Sequence, residues 1–316
     1  MDKNYVIGID LGGTKISGAL ADLDGNVISQ CTIPTNAAEG EQPVLNRIVQ
    51  VIENVMKDAN KTSEDVKAIG IGSPGPLDAK KGIIITTPNL PFKNFELVTP
   101  IREKFGIPTY LDNDANVAAI GEFVFGAGKG TENMVFVTAS TGIGGGAVLN
   151  GKIYRGNTSN ALEVGHMTLV EDGPRCNCGN YGCAEALASG TAIARMVNEV
   201  LEQGAESSLR NYDKVTSYEV FKEAEKGDKI AAEVLGKALN YLGICVANLV
   251  VTFDPEVVII GGGVSQGGQI VFDTVRNVVN TRCFEAMAAS CRIVPAGLGT
   301  NAGVIGAVAL AIMESK

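Results

Sequence analysis

Two segments of this chain share one pattern, a strand followed by a glycine-rich turn and a second strand. In the first, a β-rich run over residues 5–9 leads into a turn at 10–15, and another run covers 16–21. Residues 134–149 repeat this order, with the turn at 140–146. The similarity is one of pattern and not of identical letters. Glycine lets the backbone bend tightly and leaves its N–H groups open, so each turn suits an anion.

The rest of the chain alternates between strand patterns and helix patterns. The predicted strands cover 5–9, 16–21, 27–33, 66–71, 108–111, 134–139, 147–149 and 257–260, and the predicted helices cover 41–59, 114–125, 228–252 and 302–313. Such alternation is typical of mixed sheets covered by helices. For 316 residues we expect about two domains, with a boundary near 115–130.

The composition argues against several classes of function. Hydrophobic residues make up 45% of the chain and charged residues 19%, which is enough for a large packed core. The formal net charge is −9 and no stretch is strongly basic, so nucleic acid and anionic membranes are not expected as partners. No uninterrupted apolar run reaches the roughly 18 residues that a membrane span needs. We therefore expect a cytoplasmic protein whose seven cysteines are reduced or bind a metal.

The two turns carry side chains that suit a bound phosphate. Thr14 and Thr141 supply hydroxyl donors, and Lys15 supplies a positive charge. Asp10 ends the first strand, where a carboxylate can reach a Mg²⁺ ion that bridges phosphates. A third glycine cluster, 261–263, follows a buried strand. The alternative is that both turns are ordinary hairpin turns, with Asp10 as a capping residue.

Two other glycine-rich stretches match nucleotide-binding patterns only in part. Residues 70–75 fit the GxGxxG dinucleotide pattern, but Pro74 and Pro76 lie there and no helix opens. Residues 126–131 resemble a Walker loop, but Gly130 stands where Ser or Thr is required. We predict neither site.

Asp114 stands between a predicted strand and a predicted helix, within the run 111–116. Functional groups of α/β sheets gather at the carboxyl ends of strands, and a carboxylate there can take the proton of a hydroxyl nucleophile. The same position also suits a helix N-cap. The spacing alone leaves both interpretations open.

The only histidine, His166, precedes a cluster of three cysteines. Cys176, Cys178 and Cys183 lie within eight residues of one another, among glycines that let the chain fold around an ion. One histidine and three thiolates make a complete tetrahedral set for a structural Zn²⁺ ion. The Cys-x-Cys spacing is tighter than in common zinc ribbons, and the alternative is a lone histidine with free thiols.

Two glutamates flank this segment. Glu163 lies three residues before the histidine and Glu185 two residues after the last cysteine of the cluster. A metal that folds the segment would hold both carboxylates beside it, where they can accept hydrogen bonds from sugar hydroxyls. The alternative is two ordinary solvated glutamates.

Taken together, these residues resemble the ROK family (repressors, open reading frames and kinases), and among its members the bacterial sugar kinases of glucokinase type. The resemblance runs from about residue 5 to the end of the chain. Its specific parts are the segments 10–15, 111–116, 141–146 and 163–183.

The resemblance implies an actin-like ATPase (ribonuclease H-like) fold, with two α/β domains and a cleft between them. The smaller domain would cover 1–117 together with about 302–316, because the C-terminal helix would return to it. The larger domain, 118–301, would carry the zinc segment.

The resemblance also implies which residues act, with Asp114 as the catalytic base. Sugar-binding positions of the family match Asn113, Asp114, Glu163, His166 and Glu185, with Gly75 as a further candidate; ATP-binding positions match Asp10, Gly12, Gly13, Thr14, Lys15, Thr141, Gly142, Gly262 and Gly263. His166 would bind structural Zn²⁺ through one ring nitrogen, together with Cys176, Cys178 and Cys183, and a sugar hydroxyl through the other nitrogen.

The expected activity is the ATP- and Mg²⁺-dependent phosphorylation of a hexose, glucose to glucose 6-phosphate. Kinases for N-acetylmannosamine, fructose or allose stay open, as do donors other than ATP. A non-catalytic sugar sensor would not need Asp114, and a zinc-organised interaction module would not explain the glycine-rich turns. Family repressors carry an N-terminal helix-turn-helix, for which nine residues before Asp10 leave no room. Family members are usually dimers or tetramers, so we expect a homodimer or homotetramer.

Overall fold

The computed structural model describes residues 3–87 and 89–316, which form two compact units. The first unit contains the described residues up to Gly130 together with 152–161 and 297–316. The second unit contains 131–151 and 162–296. The domains expected from the sequence, 1–117 with 302–316 and 118–301, stay a prediction. The compact first unit reaches further along the chain than the expected domain.

A five-stranded sheet forms the centre of the first unit. Its elements up to residue 124 are β1 (Tyr5–Leu11), β2 (Lys15–Asp22), β3 (Val27–Pro34), α1 (Glu41–Asp58), β4 (Val66–Ser73), β5 (Leu77–Asp78), β6 (Ile83–Thr86), β7 (Lys93–Glu96), α2 (Val98–Phe105), β8 (Thr109–Asn113) and α3 (Asp114–Val124). The strand order is β3-β2-β1-β4-β8, in which β1 to β3 are antiparallel and β4 and β8 run parallel to β1. Strands β5, β6 and β7 form a small antiparallel sheet.

A second five-stranded sheet has the order β11-β10-β9-β12-β13. The elements from residue 134 onward are β9 (Met134–Ala139), β10 (Ile143–Leu149), β11 (Lys152–Ile153), α4 (Ala184–Ala188), α5 (Gly190–Glu202), α6 (Ser217–Glu225), α7 (Lys229–Phe253), β12 (Val257–Gly261), α8 (Gln269–Arg282), α9 (Glu285–Ser290), β13 (Arg292–Pro295) and α10 (Ala302–Glu314). Strand β10 is antiparallel to β9, and β12 and β13 are parallel to β9. The two sheets therefore share the hairpin followed by parallel strands that the repeated sequence pattern indicated.

Helix α10 packs on the first sheet through two glycines. A Cβ atom at Gly70 of β4 would lie 2.2 Å from the carbonyl oxygen of Ala307, and one at Gly8 of β1 would lie 2.4 Å from the backbone nitrogen of Val308. Real Cβ atoms do not come this close to backbone atoms, so the helix rests directly on the strands only because both positions are glycine.

Helix α7 is the core helix of the second unit. Within residues 3–87 and 89–316 it alone is long and apolar enough to span a membrane, but 61% of its most apolar window is buried in the protein. It contacts α4, α5, α6 and α8 on several sides. A helix that is covered on several sides has to be apolar around most of its circumference. The apolar composition of α7 is therefore explained by packing.

The second glycine-rich turn is shorter than expected, which corrects the prediction of a turn over 140–146. Strand β10 begins at Ile143, and Gly144 to Gly146 pair with β9. The reason is packing, because a Cβ atom at Gly145 would lie 2.9 Å from the side chain of Val164. These glycines make room for a neighbour within a strand instead of forming the bend.

Candidate functional site

The candidate residues of the first unit lie along one edge of its sheet. Asp10 pairs with Gly72, and Gly72 pairs with Asp112, so the three form one row across β1, β4 and β8. These strands run in the same direction, and the segments after them leave at the same edge. The glycine-rich turn, Gly75 and Asp114 follow these three strand ends. The sheet thus gathers residues that are far apart in sequence, as expected for the carboxyl ends of parallel strands.

The turn between β1 and β2 closes through its own backbone. The N–H of Gly12 donates to the carbonyl oxygen of Lys15 at 3.0 Å, and the N–H of Thr35 donates to that of Thr14 at 2.9 Å. The Thr35 hydroxyl adds a bond to the Gly12 carbonyl oxygen at 2.6 Å. The alternative in which Asp10 caps the turn is therefore not needed to explain its shape.

Two glycines make room around this turn. A Cβ atom at Gly13 would lie 2.7 Å from Cβ of Asn89, and one at Gly303, near the start of α10, would lie 2.5 Å from Oδ2 of Asp10. The Asp10 carboxylate thus lies directly against the beginning of α10, and the backbone of Gly13 lies against Asn89.

The environment of Asp10 disfavours its negative charge. Burial raises the pKa of the Asp10 carboxyl above its ordinary value, and the Lys15 ammonium offsets part of the rise. A carboxylate that burial has removed from water, with only one cation nearby, is strongly stabilised by a bound metal ion. The donor chemistry of Asp10 therefore fits a Mg²⁺ ion that also binds phosphate.

Asn113, and not Asp114, is the N-cap of α3, which corrects the capping interpretation of Asp114. The backbone of Asn113 is extended, and its side-chain oxygen accepts from the N–H of Ala115 at 2.9 Å. Asp114 is the first helical residue and is exposed, with Oδ1 2.8 Å from the same N–H group. An acidic residue is favourable in this first turn. Asp114, the predicted base, thus directly follows the end of β8 at the sheet edge.

A network of charged and polar groups around the buried Asp112 supports the turn formed by Asn113 and Asp114. The Asp112 carboxylate is fully buried and accepts bonds from the N–H of Asn113 at 2.8 Å, from Nδ2 of Asn116 at 2.9 Å and from Nε of Arg155 at 2.7 Å. Arg155 also pairs with Glu314 of α10. Burial would lower the pKa of Arg155, but its two carboxylate partners raise it, so the guanidinium keeps its charge. Sequence reasoning missed both Asp112 and Arg155, because the network joins three distant segments.

Gly75 lies beside the same turn. A Cβ atom there would lie 3.3 Å from Nδ2 of Asn113, and Ser73 pairs with Asn113 between β4 and β8. The structure therefore brings together Gly75 and Asn113, two of the residues predicted to bind sugar.

In the second unit, the turn after β9 and the glycines after β12 are neighbours. Gly262 has a φ of +87°, and a Cβ atom there would lie 2.3 Å from the carbonyl oxygen of Ala139. Only glycine tolerates both the conformation and the contact. Gly263 lies near the Ser140 hydroxyl, which adjoins Thr141 and Gly142. Four of the predicted ATP-binding positions thus share one end of the second sheet.

Two cavities open beside these positions. One, of about 460 Å³, is bordered by Ser140, Thr141, Thr191 and Gly263 among others. The other, of about 930 Å³, has Gly263 at one side and apolar walls. Its larger apolar side chains are Tyr218, Phe221, Leu235, Leu239 and Ile270. These walls were not predicted, because their lining residues form no motif and most of them lie outside the one predicted helix that contributes, α7.

The ligand atoms of His166, Cys176, Cys178 and Cys183 all lie within 4.8 Å of one another. Sγ of Cys178 is 3.7 Å from Sγ of Cys183, and Sγ of Cys176 is 3.8 Å from Nδ1 of His166. A tetrahedral zinc site with metal–sulfur bonds of about 2.3 Å has sulfur–sulfur separations of about 3.8 Å. The spacing and chemistry of the four side chains therefore fit a metal ion of the zinc type.

The thiols show what a cation would change. Burial raises the pKa of Cys176, and it raises the pKa of Cys183 to about 12, while a backbone hydrogen bond from Asn180 lowers the pKa of the exposed Cys178. Without a cation the two buried thiols keep their protons at neutral pH. A bound cation would favour the thiolates, so metal binding and proton release are coupled.

Glu185 connects this cluster to the turn after β9. Its Oε2 accepts from the N–H of Ile143 at 3.0 Å, and its Oε1 lies 3.9 Å from Sγ of Cys176. The exposed Glu163 directly precedes the short 3-10 helix that contains His166, whose N–H donates to the Glu163 carbonyl oxygen at 3.0 Å. The predicted sugar-binding residues of the second unit therefore all adjoin the metal cluster.

The model of the ROK family matches residues 6–314. The chain belongs to the ROK family. Among curated relatives, this ROK protein is 36% identical to a glucokinase from Halalkalibacterium halodurans, with 97% of this chain and 94% of that protein covered. It is also 33% identical to a xylose repressor from Caldicellulosiruptor bescii, with 99% of this chain and 79% of the repressor covered.

Solved structures of ROK proteins confirm the predicted fold class, the actin-like ATPase fold. A ROK hexokinase from Thermus thermophilus is similar with a TM-score of 0.86 and 35% identity, with 98% of each chain covered. A ROK glucokinase from Streptomyces griseus, solved in complex with glucose and AMPPNP, is similar with a TM-score of 0.77 and 32% identity, with 98% of this chain and 99% of that chain covered. The roles of the individual residues in this chain stay predictions.

Proposed function

We propose that this ROK protein is an ATP-dependent hexose kinase that converts glucose to glucose 6-phosphate. The observation that carries the proposal is the pairing of Asp10, Gly72 and Asp112 across β1, β4 and β8. Because of this pairing, the glycine-rich turn after β1 and Asp114 after β8 lie at the same sheet edge. The full-length similarity to glucokinases supports the choice of glucose.

The nucleotide is bound by the two glycine-rich turns and the glycines after β12. Its phosphates contact Gly12, Gly13, Thr14, Lys15, Thr141 and Gly142, and its adenosine contacts Gly262 and Gly263. The apolar cavity of about 930 Å³ next to Gly263 supports this assignment, because a purine ring gains from contact with aromatic and aliphatic walls. Asp10 would hold Mg²⁺, which supplies charge neutralisation for the phosphates.

The sugar is bound by side-chain groups and, at Gly75, by the backbone. Asn113 and Gly75 of the first unit and Glu163, His166 and Glu185 of the second orient its hydroxyl groups. Asp114 accepts the proton of the reacting hydroxyl, whose oxygen attacks the γ-phosphorus of ATP. The bond between this phosphorus and the oxygen that bridges it to the β-phosphate breaks, and ADP leaves. The buried Asp112 and its partner Arg155 hold the Asn113–Asp114 turn in place during this step.

The His166–Cys176–Cys178–Cys183 cluster would hold a structural Zn²⁺ ion, which would crosslink this segment. With Nδ1 of His166 beside Cys176, the other ring nitrogen is left to orient toward a sugar hydroxyl. The cluster thus positions a sugar-binding side chain while it stabilises its segment.

The proposal extends to partners and location. The partners are a small sugar and ATP, and the net charge of −9 argues against nucleic acid and anionic membranes. A cytoplasmic location fits a soluble kinase that uses cellular ATP. A homodimer or homotetramer is expected from the family resemblance.

We weigh two alternatives. The first is a kinase for another hexose, such as N-acetylmannosamine, fructose or allose, which would differ from a glucokinase in the side chains around carbon 2 of the sugar. The second is a non-catalytic sugar sensor, which the 33% identity to a xylose repressor over nearly the whole chain favours.

Turnover with a panel of sugars tests the proposal. The purified protein is mixed with Mg-ATP and glucose, mannose, fructose, allose, N-acetylglucosamine or N-acetylmannosamine, and ADP release and the phosphorylated product are measured. We expect glucose to give the highest kcat/KM and glucose 6-phosphate as product. A higher kcat/KM for another sugar would reassign the substrate. Sugar binding by calorimetry without any turnover would favour the sensor.

A further inference from the structure

The cavity of about 460 Å³ beside the second glycine-rich turn contains one charged side chain, that of Lys214. Its other lining residues are Ser140, Thr141, Gly190, Thr191, Ala194, Val215, Thr216, Ser217, Gly263 and Val264, all uncharged. A cavity with hydroxyl groups, open glycine backbone and one ammonium group suits an anion more than a neutral ligand. Lys214 belongs to no motif that sequence reasoning identified.

The chain holds Lys214 at this cavity from its C-terminal side. Val215 is buried, and Thr216 is the N-cap of α6 in a capping box with Glu219. The Thr216 hydroxyl is 2.5 Å from the Glu219 carboxylate, and the Thr216 N–H donates to it at 2.8 Å. The backbone next to Lys214 is therefore fixed, while its side chain is exposed.

The charge of Lys214 has no counterion in the described chain. The ion pairs among residues 3–87 and 89–316 involve other lysines and arginines, and Lys214 is in none of them. Two helices, α5 and α6, also begin at the cavity wall, with Gly190 and Ser217 as their first residues. Their positive dipole ends reinforce the preference for an anion.

The position of the cavity indicates which anion. It shares Ser217 and Gly263 with the larger apolar cavity and reaches the turn residues Ser140 and Thr141. A nucleotide with its base in the apolar cavity and its terminal phosphate at Thr141 has its inner phosphates beside Lys214. We infer that Lys214 binds the α- or β-phosphate of the nucleotide and so discriminates nucleoside di- and triphosphates from nucleosides.

This inference rests on the proposed kinase function and names a residue that the ROK motifs do not include. In this assignment Lys214 is a residue that binds the phosphoryl donor, since its side chain lines the cavity that adjoins Thr141. A charge-assisted hydrogen bond of this kind changes affinity by about tenfold or more.

Calorimetric titration with ADP and with adenosine tests the inference in the absence of sugar. In Lys214→Met we expect the affinity for ADP to fall by about tenfold or more and the affinity for adenosine to stay as in the wild type. Lys214→Arg should recover part of the ADP affinity, and the KM for ATP in Lys214→Met should rise while the KM for the sugar does not. Lys237→Met, which removes an exposed lysine of α7 that lines neither cavity, is the matched control.

Three results would contradict the inference. Equal ADP affinity in Lys214→Met and the wild type would show that the ammonium makes no contact with phosphate. An equal loss for ADP and adenosine would show a change in cavity shape and not the loss of a charge contact. If the wild type itself binds neither ligand, the proposed kinase function fails first, and this assignment fails with it.

Discussion

The two glycine-rich turns occupy the same place in two sheets of matching order, yet they carry different chemistry. The turn after β1 is preceded by a carboxylate, Asp10, which is buried against α10. The turn after β9 has instead a glutamate bonded to its backbone, since Glu185 accepts from the N–H of Ile143. The sheet topology thus sets the position of the side chains at the strand ends, and the residue types at these positions set their chemistry.

The two edges are also stabilised in different ways. In the first unit, a buried ion pair between Asp112 and Arg155 holds the turn that carries Asp114. In the second unit, four side chains that fit a metal ion lie close together in the segment between Glu163 and Glu185. Removing a metal should therefore loosen only the second edge, and breaking an ion pair should loosen only the first.

Metal removal should have the largest effect on stability. Structural zinc contributes on the order of 10 kcal/mol to the folding of small zinc domains, so chelation or Cys178→Ser should release the segment 163–185. Hydrogen exchange followed by mass spectrometry should show lost protection there and unchanged protection over 109–124. Cys31→Ser, in the first unit, is the control. Unchanged exchange at 163–185 after verified metal removal would show that the cluster has no structural role.

Breaking the buried pair should have the next largest effect. Arg155→Met leaves the fully buried Asp112 carboxylate without its cation, which costs about 3–5 kcal/mol of unfolding free energy for a buried pair. We expect kcat to fall as well, because the turn before Asp114 loses a support. Urea unfolding and steady-state kinetics measure the two effects.

The control for this change is Lys104→Met. Lys104 pairs with Glu53 at the surface, where both side chains are about half exposed, and surface pairs contribute about 1 kcal/mol or less. If Arg155→Met and Lys104→Met lower the free energy of unfolding equally, the Asp112–Arg155 pair does not stabilise the turn that carries Asp114.

A network of carboxylates in the second unit should give it a distinct acid sensitivity. Hydrogen bonds from Lys226, Ser208 and Tyr212 lower the pKa of Glu223 to about 2 from its ordinary 4.5. Burial alone would raise the pKa of Asp228, but hydrogen bonds, from the N–H groups of Ala231 and Ser208 among others, lower it to about 2.

A lowered pKa stabilises the folded state above the unfolded-state pKa, and this stabilisation is lost as the pH falls through the folded-state value. Glu223→Gln should therefore be less stable than the wild type at neutral pH, and the difference should shrink between about pH 4.5 and pH 2. Thermal unfolding across this range measures it, with Glu64→Gln of the first unit as the control. A difference that does not depend on pH would contradict the assignment.

Asp10 should show the opposite sign and the smallest effect on stability. Its pKa is raised by burial, so stability falls as the pH rises past the unfolded value, and Asp10→Asn should slightly stabilise the free protein at neutral pH. The same change should remove the Mg²⁺-dependent turnover, because the Asp10 carboxylate is the predicted ligand of the Mg²⁺ ion. A variant that is less stable than the wild type at neutral pH would show that Asp10 has a structural role instead.

Much of the fold followed from local patterns. The strands beside both turns, helix α1 and the core helix α7 were predicted within a few residues, because strong apolar periodicity and glycine signals mark them. Short helices such as α4 and α6 were not, since they depend on contacts with distant parts of the chain.

The site shows the same division. The Cys and His ligands were predicted because their clustering along the chain mirrors their clustering in space. The N-cap was shifted by one residue, from Asp114 to Asn113, because both side chains are suited to capping and only the backbone decides. Arg155 and Lys214 were missed, since Arg155 pairs with residues of distant segments and Lys214 lines a cavity built from several segments, and no local pattern reveals either.

The most direct test of the kinase account compares chemistry with binding in Asp114→Asn. If Asp114 is the base, the variant should bind glucose and ADP as the wild type does, while kcat falls by about 10²–10⁴-fold. Asp58→Asn, at the exposed end of α1, should keep full activity. A kcat for Asp114→Asn within a few-fold of the wild type, with unchanged binding, would contradict the assignment of the catalytic base.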